Sequence, residues 1–202
     1  MTLYGFAQKI LLPPVLAVWR FKVYGADRVP RDGPLIVACN HASYMDPVAL
    51  GVACPRPLSY MAKAELFRIP VLGPLIRAVH AYPVERGEKT SAAAAIKKSV
   101  QILREGRAIG IFPQGTRVRD GAGDAKAGVA VLANLGQAPV VPAYVWGSKD
   151  AVKLHQIKVA FGDPMRLPAG RKATRDEIAN FKDAVMAAIN TLAKEIETTG
   201  AH

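Results

Sequence analysis

Cysteine is nearly missing from this sequence: Cys39 and Cys54 are the two in 202 residues. That is too few for a disulfide framework, and neither Cys-x-x-Cys nor Cys/His spacing offers a zinc site. Both are expected to behave as small buried apolar residues in a reducing compartment. Long apolar runs are missing too. No segment reaches the roughly 18 uninterrupted apolar residues of a spanning helix. The nearest, Ile10 to Trp19, is broken by Pro13-Pro14 and followed by Arg20 and Lys22. Lys9 alone marks its front, and no small-x-small cleavage site follows, so a signal peptide fits poorly. Acidic residues are scarce: the first is Asp27, and 16 acidic against 27 basic residues leave a net charge of +11. Such a surplus points to an anionic partner, whether nucleic acid, an acidic lipid surface, a phosphorylated substrate or an acidic carrier. Charge alone does not choose among them. Nucleophile elbow, Walker A loop and His-Glu-x-x-His pair are all absent. Gly121-x-Gly123 lacks the third glycine of a dinucleotide fingerprint.

What is present is the composition of a globular chain, half apolar and 21% charged, of a length that suits one domain. Leu35 to Cys39 is a short apolar run entered from Asp32-Gly33-Pro34, the pattern of a buried strand. Leu58 to Met61, Ala81 to Val84, Ala108 to Phe112, Pro139 to Val145 and Ile157 to Phe161 read the same way. Between them, Thr90 to Arg104 puts Ala93, Ile96, Val100 and Leu103 on one stripe. Thr174 to Glu197 opens on a Thr-Arg-Asp-Glu capping box and carries Ile178, Phe181, Val185, Ile189 and Leu192 inward. Strands alternating with helices predict a single α/β domain around a mainly parallel sheet. Gly-rich Arg119 to Asp124 reads as a loop. The apolar stripe from Leu66 to Ile76 reads first as core, with an acyl-chain tunnel or a membrane contact as alternatives. The amino terminus, apolar and free of acid, reads equally as an interfacial segment or as a buried first helix.

The chemistry concentrates in Asn40-His41-Ala42-Ser43-Tyr44-Met45-Asp46, directly after the first strong strand. Five residues of regular helix would leave His41 and Asp46 roughly 140° apart. They meet only if the chain turns between them, as it does where a strand ends and a helix begins. The carboxylate could then fix one imidazole nitrogen and free the other to take a proton. The plainer alternative makes Asp46 an N-cap with Pro47 at the first helical position, and His41 an ordinary strand-end residue. A second strand end carries Phe112-Pro113-Gln114-Gly115-Thr116-Arg117. His80, His155 and His202 have no comparable pattern and read as structural or exposed.

Taken together, these blocks resemble the glycerolipid acyltransferase family, most closely its bacterial 1-acylglycerol-3-phosphate acyltransferases. Asn40 to Asp46 is similar to the family's NHxxxxD block, and Phe112 to Arg117 to its FPEGTR block, with Gln114 where glutamate is usual. Lys63-Ala-Glu65-Leu66-Phe67, Pro70, Gly73 and Tyr82 to Arg86 are similar to the second block, and Val140-Val141-Pro142-Ala143 to the fourth. The likeness covers roughly residues 20 to 165, with all four blocks in order.

The resemblance implies an α/β acyltransferase domain over residues 23–202, behind a membrane-interface segment at residues 1–22. It implies transfer of a fatty acyl group from coenzyme A or acyl carrier protein to 1-acylglycerol-3-phosphate, giving phosphatidic acid. His41 would be the general base and Asp46 its orienting carboxylate. Arg86, Gln114, Gly115, Thr116, Arg117 and Lys126 would bind substrate. Neither metal nor cofactor is implied beyond the acyl thioester, and the expected setting is the cytoplasmic face of an anionic membrane, peripheral or monotopic. Another lysolipid acceptor, such as a lyso-ornithine lipid, is the near alternative. A basic nucleic-acid-binding protein would explain the charge but not the two motif-bearing strand ends.

Overall fold

The computed structural model describes residues 19–70, 72–78, 81–84, 89–115, 127–168 and 171–198. In chain order these form β1 (Lys22–Tyr24), β2 (Leu35–Cys39), α1 (Asp46–Ala53), β3 (Leu58–Lys63), α2 (Leu72–Ala78), β4 (Tyr82–Val84), α3 (Lys89–Arg104), β5 (Ala108–Ile111), α4 (Gly128–Gly136), β6 (Val140–Trp146), β7 (Lys158–Phe161) and α5 (Arg175–Thr198). Short 3-10 helices cover Ala26–Arg28, Ala64–Arg68 and Ser148–Lys153. The strands make one sheet in the order β1-β7-β6-β2-β5-β3-β4. β2 pairs in parallel with both β5 and β6, and β3 in parallel with β5 and β4. β7 runs antiparallel to β6 and parallel to β1. The expected mainly parallel α/β sheet is therefore what the chain builds, with one antiparallel joint.

β2 shows why. All five of its residues are buried, because helices cover both faces of a parallel sheet. Period-two alternation sends Leu35, Val37 and Cys39 to one face, where Leu50 of α1, Val145 and Phe161 close the core. Ile36 and Ala38 go to the other face, under Leu103 of α3, Leu132 of α4 and Val185 of α5. Both cysteines are free and buried, as expected.

The capping box of α5 forms in full: Glu177 N–H donates to Thr174 Oγ1 at 3.2 Å, and Thr174 N–H to the Glu177 carboxylate at 2.8 Å. Phe181, Val185, Ile189 and Leu192 are buried as the periodicity predicts, and Ile196 extends the stripe. α3 keeps three of its four expected inward residues: Leu103 is buried, and Ile96 and Val100 pack half-buried against the core. Ala93 is exposed, while Ala95, Ser99, Ile102 and Leu103 are buried. Ala93 and Ala95 carry too little hydropathy contrast to be told apart, and Ser99 is buried because its hydroxyl bonds Ala95 O at 2.7 Å and Tyr82 Oη at 2.8 Å.

Two further differences stand out. β1 has only three residues and is held by pairing with β7 rather than by any pattern of its own. In the stripe from Leu66 to Ile76, Phe67 is core, whereas Ile69 is 44% exposed and Leu66 half-buried, so the expectation of plain core holds only in part. The Arg119 to Asp124 loop and residues 1–18 of the amino-terminal segment lie outside the described residues. The end of that segment joins the domain: Trp19 Nε1 donates to Ala151 O at 2.7 Å, and Ile157 N–H donates to Trp19 O at 3.0 Å. No helix among the described residues is long and apolar enough to cross a membrane.

Leu50 is fully buried and holds α1, the helix that begins with Asp46, against the sheet. Leu50→Ala should destabilise the protein by about 2–5 kcal/mol. Urea denaturation checks this.

Candidate active site

The parallel strands β2, β5 and β6 end on the same edge of the sheet, and each hands its next residues to the site. This is the carboxyl edge at which open α/β sheets bind ligands. As β2 and β6 end, Asn40 keeps them together. Val145 N–H donates to Asn40 Oδ1 at 2.7 Å, and Asn40 Nδ2 donates to Val145 O at 3.0 Å. The carboxamide thus continues the ladder after the β2 backbone has turned away. Cys39 Sγ donates to the same Asn40 oxygen at 3.2 Å, and burial together with the Asp46 charge pushes the Cys39 thiol well above its ordinary pKa. It is an inert packing group.

The chain then curls so that His41 and Asp46 meet. Asp46 is wholly buried, and its Oδ2 lies 3.0 Å from His41 Nδ1. The same oxygen accepts the N–H groups of Ala42 at 2.6 Å and Ser43 at 2.7 Å. Its other oxygen accepts the hydroxyl of Ser148 at 2.5 Å. Asp46 opens α1 with Pro47 behind it, yet its carboxylate serves the loop before the helix rather than the N–H groups that an N-cap serves. The plain capping alternative is therefore not what the fold uses. The helix start does favour the negative charge there.

His41 is fixed at three points. Besides Nδ1, its backbone N–H donates to Gln114 Oε1 at 3.2 Å, and its ring stacks on Phe112 with centroids 4.2 Å apart at 25°. Phe112 stacks in turn beside Tyr60, at 6.4 Å. A proton on Nδ1, shared with Asp46, leaves the Nε2 lone pair of the neutral ring available. The His41 side chain is 17% exposed and borders a cleft of about 470 Å³. That cleft runs from His41 and Gln114 past Tyr144, Trp146 and Ser148 to Ile189 and Asn190 of α5.

Gln114 reaches the site through a tight turn. Gly115 N–H donates to Phe112 O at 2.9 Å, with Pro113 at the second position and Gly115 at φ 70°. Only the carboxamide oxygen can accept the His41 N–H, which fixes the orientation of the amide. Of the residues the sequence singled out, the fold brings His41, Asp46, Gln114 and Gly115 to one strand-end cluster. Arg86, Thr116, Arg117 and Lys126 lie outside the described residues. Asn40, Phe112 and Ser148 carry structural duties at the site that sequence reasoning did not assign. Asn40 and Phe112 sat inside recognised blocks, so their neighbourhood was a signal; Ser148 had none. His155 is exposed, as expected, and stands on the rim of the cleft. Among the described residues no three His, Cys, Asp or Glu side chains gather as a metal site.

A family model described as Acyltransferase matches residues 20–146. A 1-acyl-sn-glycerol-3-phosphate acyltransferase of Bacillus subtilis (strain 168) is 33% identical over 181 residues, covering 87% of each chain. One of the same name from Streptococcus pneumoniae is 27% identical, covering 91% of this chain and 67% of that one. Among solved structures, the 1-acyl-sn-glycerophosphate acyltransferase of Thermotoga maritima superposes with a TM-score of 0.70 at 23% identity, over 96% of this chain and 84% of that chain.

The bond from His41 to Gln114 yields a test. Gln114→Leu leaves a largely buried N–H without its acceptor and should cost about 1–3 kcal/mol. Gln114→Glu keeps the acceptor and should cost less, but it adds a negative charge beside the imidazole. That charge favours imidazolium, so the protonation midpoint of His41, followed by NMR of its ring, should rise.

Proposed function

This chain is an enzyme of the Acyltransferase family, and on that premise we propose that it transfers a fatty acyl group from an acyl thioester to the free hydroxyl of 1-acylglycerol-3-phosphate, with His41 as general base. The observation that carries this reading is the imidazole itself. It is bound through Nδ1 to a buried carboxylate and stands at the mouth of a cleft. The choice of acceptor takes its support from relatives of that name.

In this reading His41 Nε2 removes the proton of the acceptor hydroxyl as the oxygen attacks the thioester carbonyl. General-base assistance of this kind contributes about 10²–10⁴ in rate. The tetrahedral adduct collapses to the ester, and the departing thiolate takes the proton back from the imidazolium. Atoms and charge balance with the two substrates and His41 alone, so the reading invokes no acyl-enzyme and no cofactor. Asp46 holds the reactive tautomer and meets the positive charge as it forms. Arg86 and Arg117 are the cations proposed for the acceptor phosphate, since a planar guanidinium grips phosphate with two parallel bonds. Lys126, Thr116 and Gly115 complete that proposed subsite. The net charge of +11 suits an acceptor, coenzyme A or carrier protein, and membrane that are all negative.

His41→Ala should lower turnover at least tenfold while leaving the circular dichroism spectrum unchanged. Mass spectrometry of products from mixed lysolipids offered with mixed thioesters then identifies the acceptor. Preference for an acceptor without a phosphate monoester would replace 1-acylglycerol-3-phosphate with another lysolipid.

Residues 1–22 are proposed to lie on the bilayer surface from the cytoplasmic side. Lys9, Arg20 and Lys22 would each add about 1 kcal/mol of salt-sensitive attraction to anionic lipid, and the apolar run would add a salt-insensitive part. The full chain should sediment with anionic vesicles and be partly released by salt. A chain starting at Trp19, which keeps β1 and the bond to Ala151 O, should bind the vesicles much less.

A further inference from the structure

The Asp46 carboxylate has two oxygens, and only one of them is held by the His41 block. Oδ2 takes the imidazole and two backbone N–H groups. Among the described residues, the donor to Oδ1 is the hydroxyl of Ser148, at 2.5 Å and 102 residues away. Ser148 is 2% exposed, so water has little access to replace it. An ionised carboxylate only accepts, so the serine hydroxyl must donate.

Ser148 is delivered by a rigid device. β6 ends at Trp146, and Gly147 turns the chain at φ 82°, where an added Cβ would sit 2.1 Å from Gln156 O. The 3-10 helix that follows is pinned from behind by Trp19 Nε1 on Ala151 O and closed by Asp150 N–H on Gly147 O at 3.2 Å. The hydroxyl is thus held in place before any substrate binds. Loss of rotamer freedom, the usual cost of such a bond, has been met by the fold.

We propose that Ser148 is a positioning residue of the dyad: its hydroxyl orients the Asp46 carboxylate toward His41 and takes up part of its charge. The proposal rests on the reading of His41 as the base. Its sign follows from charge sharing. With the hydroxyl gone, the buried carboxylate is compensated less, and the imidazolium beside it is favoured more. His41 then holds its proton to higher pH, and less of it is competent as a base at neutral pH.

Other titratable groups around the dyad do not imitate this. Cys39 on β2 and Tyr144 on β6 are both raised, chiefly by burial, and stay neutral. Asp150 is lowered by its bond to Lys153 and stays ionised. Lys149 beside Ser148, His155 after the 3-10 helix and Glu197 on α5 line the cleft, and the exposed Tyr44 belongs to the His41 loop. Reading His41 itself, rather than activity alone, removes their titration from the result.

The experiment uses the full chain in vesicles for kinetics and in detergent for NMR. Wild type, Ser148→Ala and Ser148→Thr are compared in kcat and in KM for 1-acylglycerol-3-phosphate and an acyl-coenzyme A across about pH 5 to 9, the range in which an imidazole titrates. The His41 ring signal, assigned by its loss in His41→Ala, is titrated in parallel. A hydrogen bond to a charged group is worth about ten- to a hundredfold in an equilibrium, and part of that should reach the imidazole. Ser148→Ala is therefore expected to lower kcat about tenfold at neutral pH, with both KM values within about twofold. The acidic limb of the rate and the His41 midpoint should rise together. Ser148→Thr should restore both. An unmoved His41 midpoint overturns the proposal, as does a threonine variant no better than alanine, or a loss confined to KM. A midpoint that rises while the rate limb stays put sustains the hold of Ser148 on the dyad and overturns the general-base reading instead. If Ser148→Ala does not fold, Ser148→Cys, with its weak S–H donor, is read on the same scale.

Discussion

A carboxylate taken wholly out of water is the constraint on which this site depends. Burying an ion costs several kcal/mol unless its lone pairs are met and a counter-charge is near. Asp46 is buried, and its donors come from three places: the loop after β2, the His41 ring and the 3-10 helix after β6. The loop conformation follows from this. Ala42 and Ser43 must aim their N–H groups at one oxygen, which bends the backbone back over α1 and carries the imidazole with it. The geometry of the His41–Asp46 pair and burial of the charge are therefore one problem with one solution. The neutral ring need only satisfy its own Nδ1–H, and in the proposed reaction the charge that would form on it meets a carboxylate already in place.

Topology supplies the rest. Because β2, β5 and β6 run in parallel, their three exits share one edge, and residues 41, 114 and 148 gather there despite their distance in the chain. Asn40 bridges β2 to β6 at the point where they would otherwise part, which keeps the first exit close to the third. β7 then returns antiparallel beside β6, so the loop between them, with the 3-10 helix, folds back over the edge rather than away from it. The last helix, α5, covers the flank of the same cleft with Ile189 and Asn190.

How much of this was legible depended on distance along the chain. The His41–Asp46 pair spans five residues and could be read from local pattern; Gln114 was legible as part of a second compact block, but its contact with the His41 N–H joins residues 73 apart and was not. The strands that carry them could be read too, since β2 and β6 are apolar on both faces and bounded by turns. Ser148 could not be. A serine after Trp-Gly has no pattern, and its partner is fixed only when β6 lies beside β2. The edge of the α3 stripe was missed for a related reason: alanine and serine bury as easily as they expose, and the bond between Tyr82 and Ser99 that buries Ser99 is tertiary. β1 is too short to have a period, and its existence rests on register with Lys158 to Ala160.

Gln114 shows how the same constraint shapes a departure from the family pattern. The position must offer an oxygen to the His41 N–H, and glutamine and glutamate both do so. They differ in charge and in what the second terminal atom can do. A carboxylate there would place a second negative group near a ring already bonded to one, and would add to the tendency of that ring to hold its proton. The carboxamide supplies the acceptor without the charge, and its remaining nitrogen is a donor rather than another acceptor. Gln114 is 6% exposed and lines the cleft beside His41. In this chain His41 is therefore bonded to one buried carboxylate, which Ser148 bonds from the other side, and the strand-end turn of β5 contributes shape and a donor in place of a second charge.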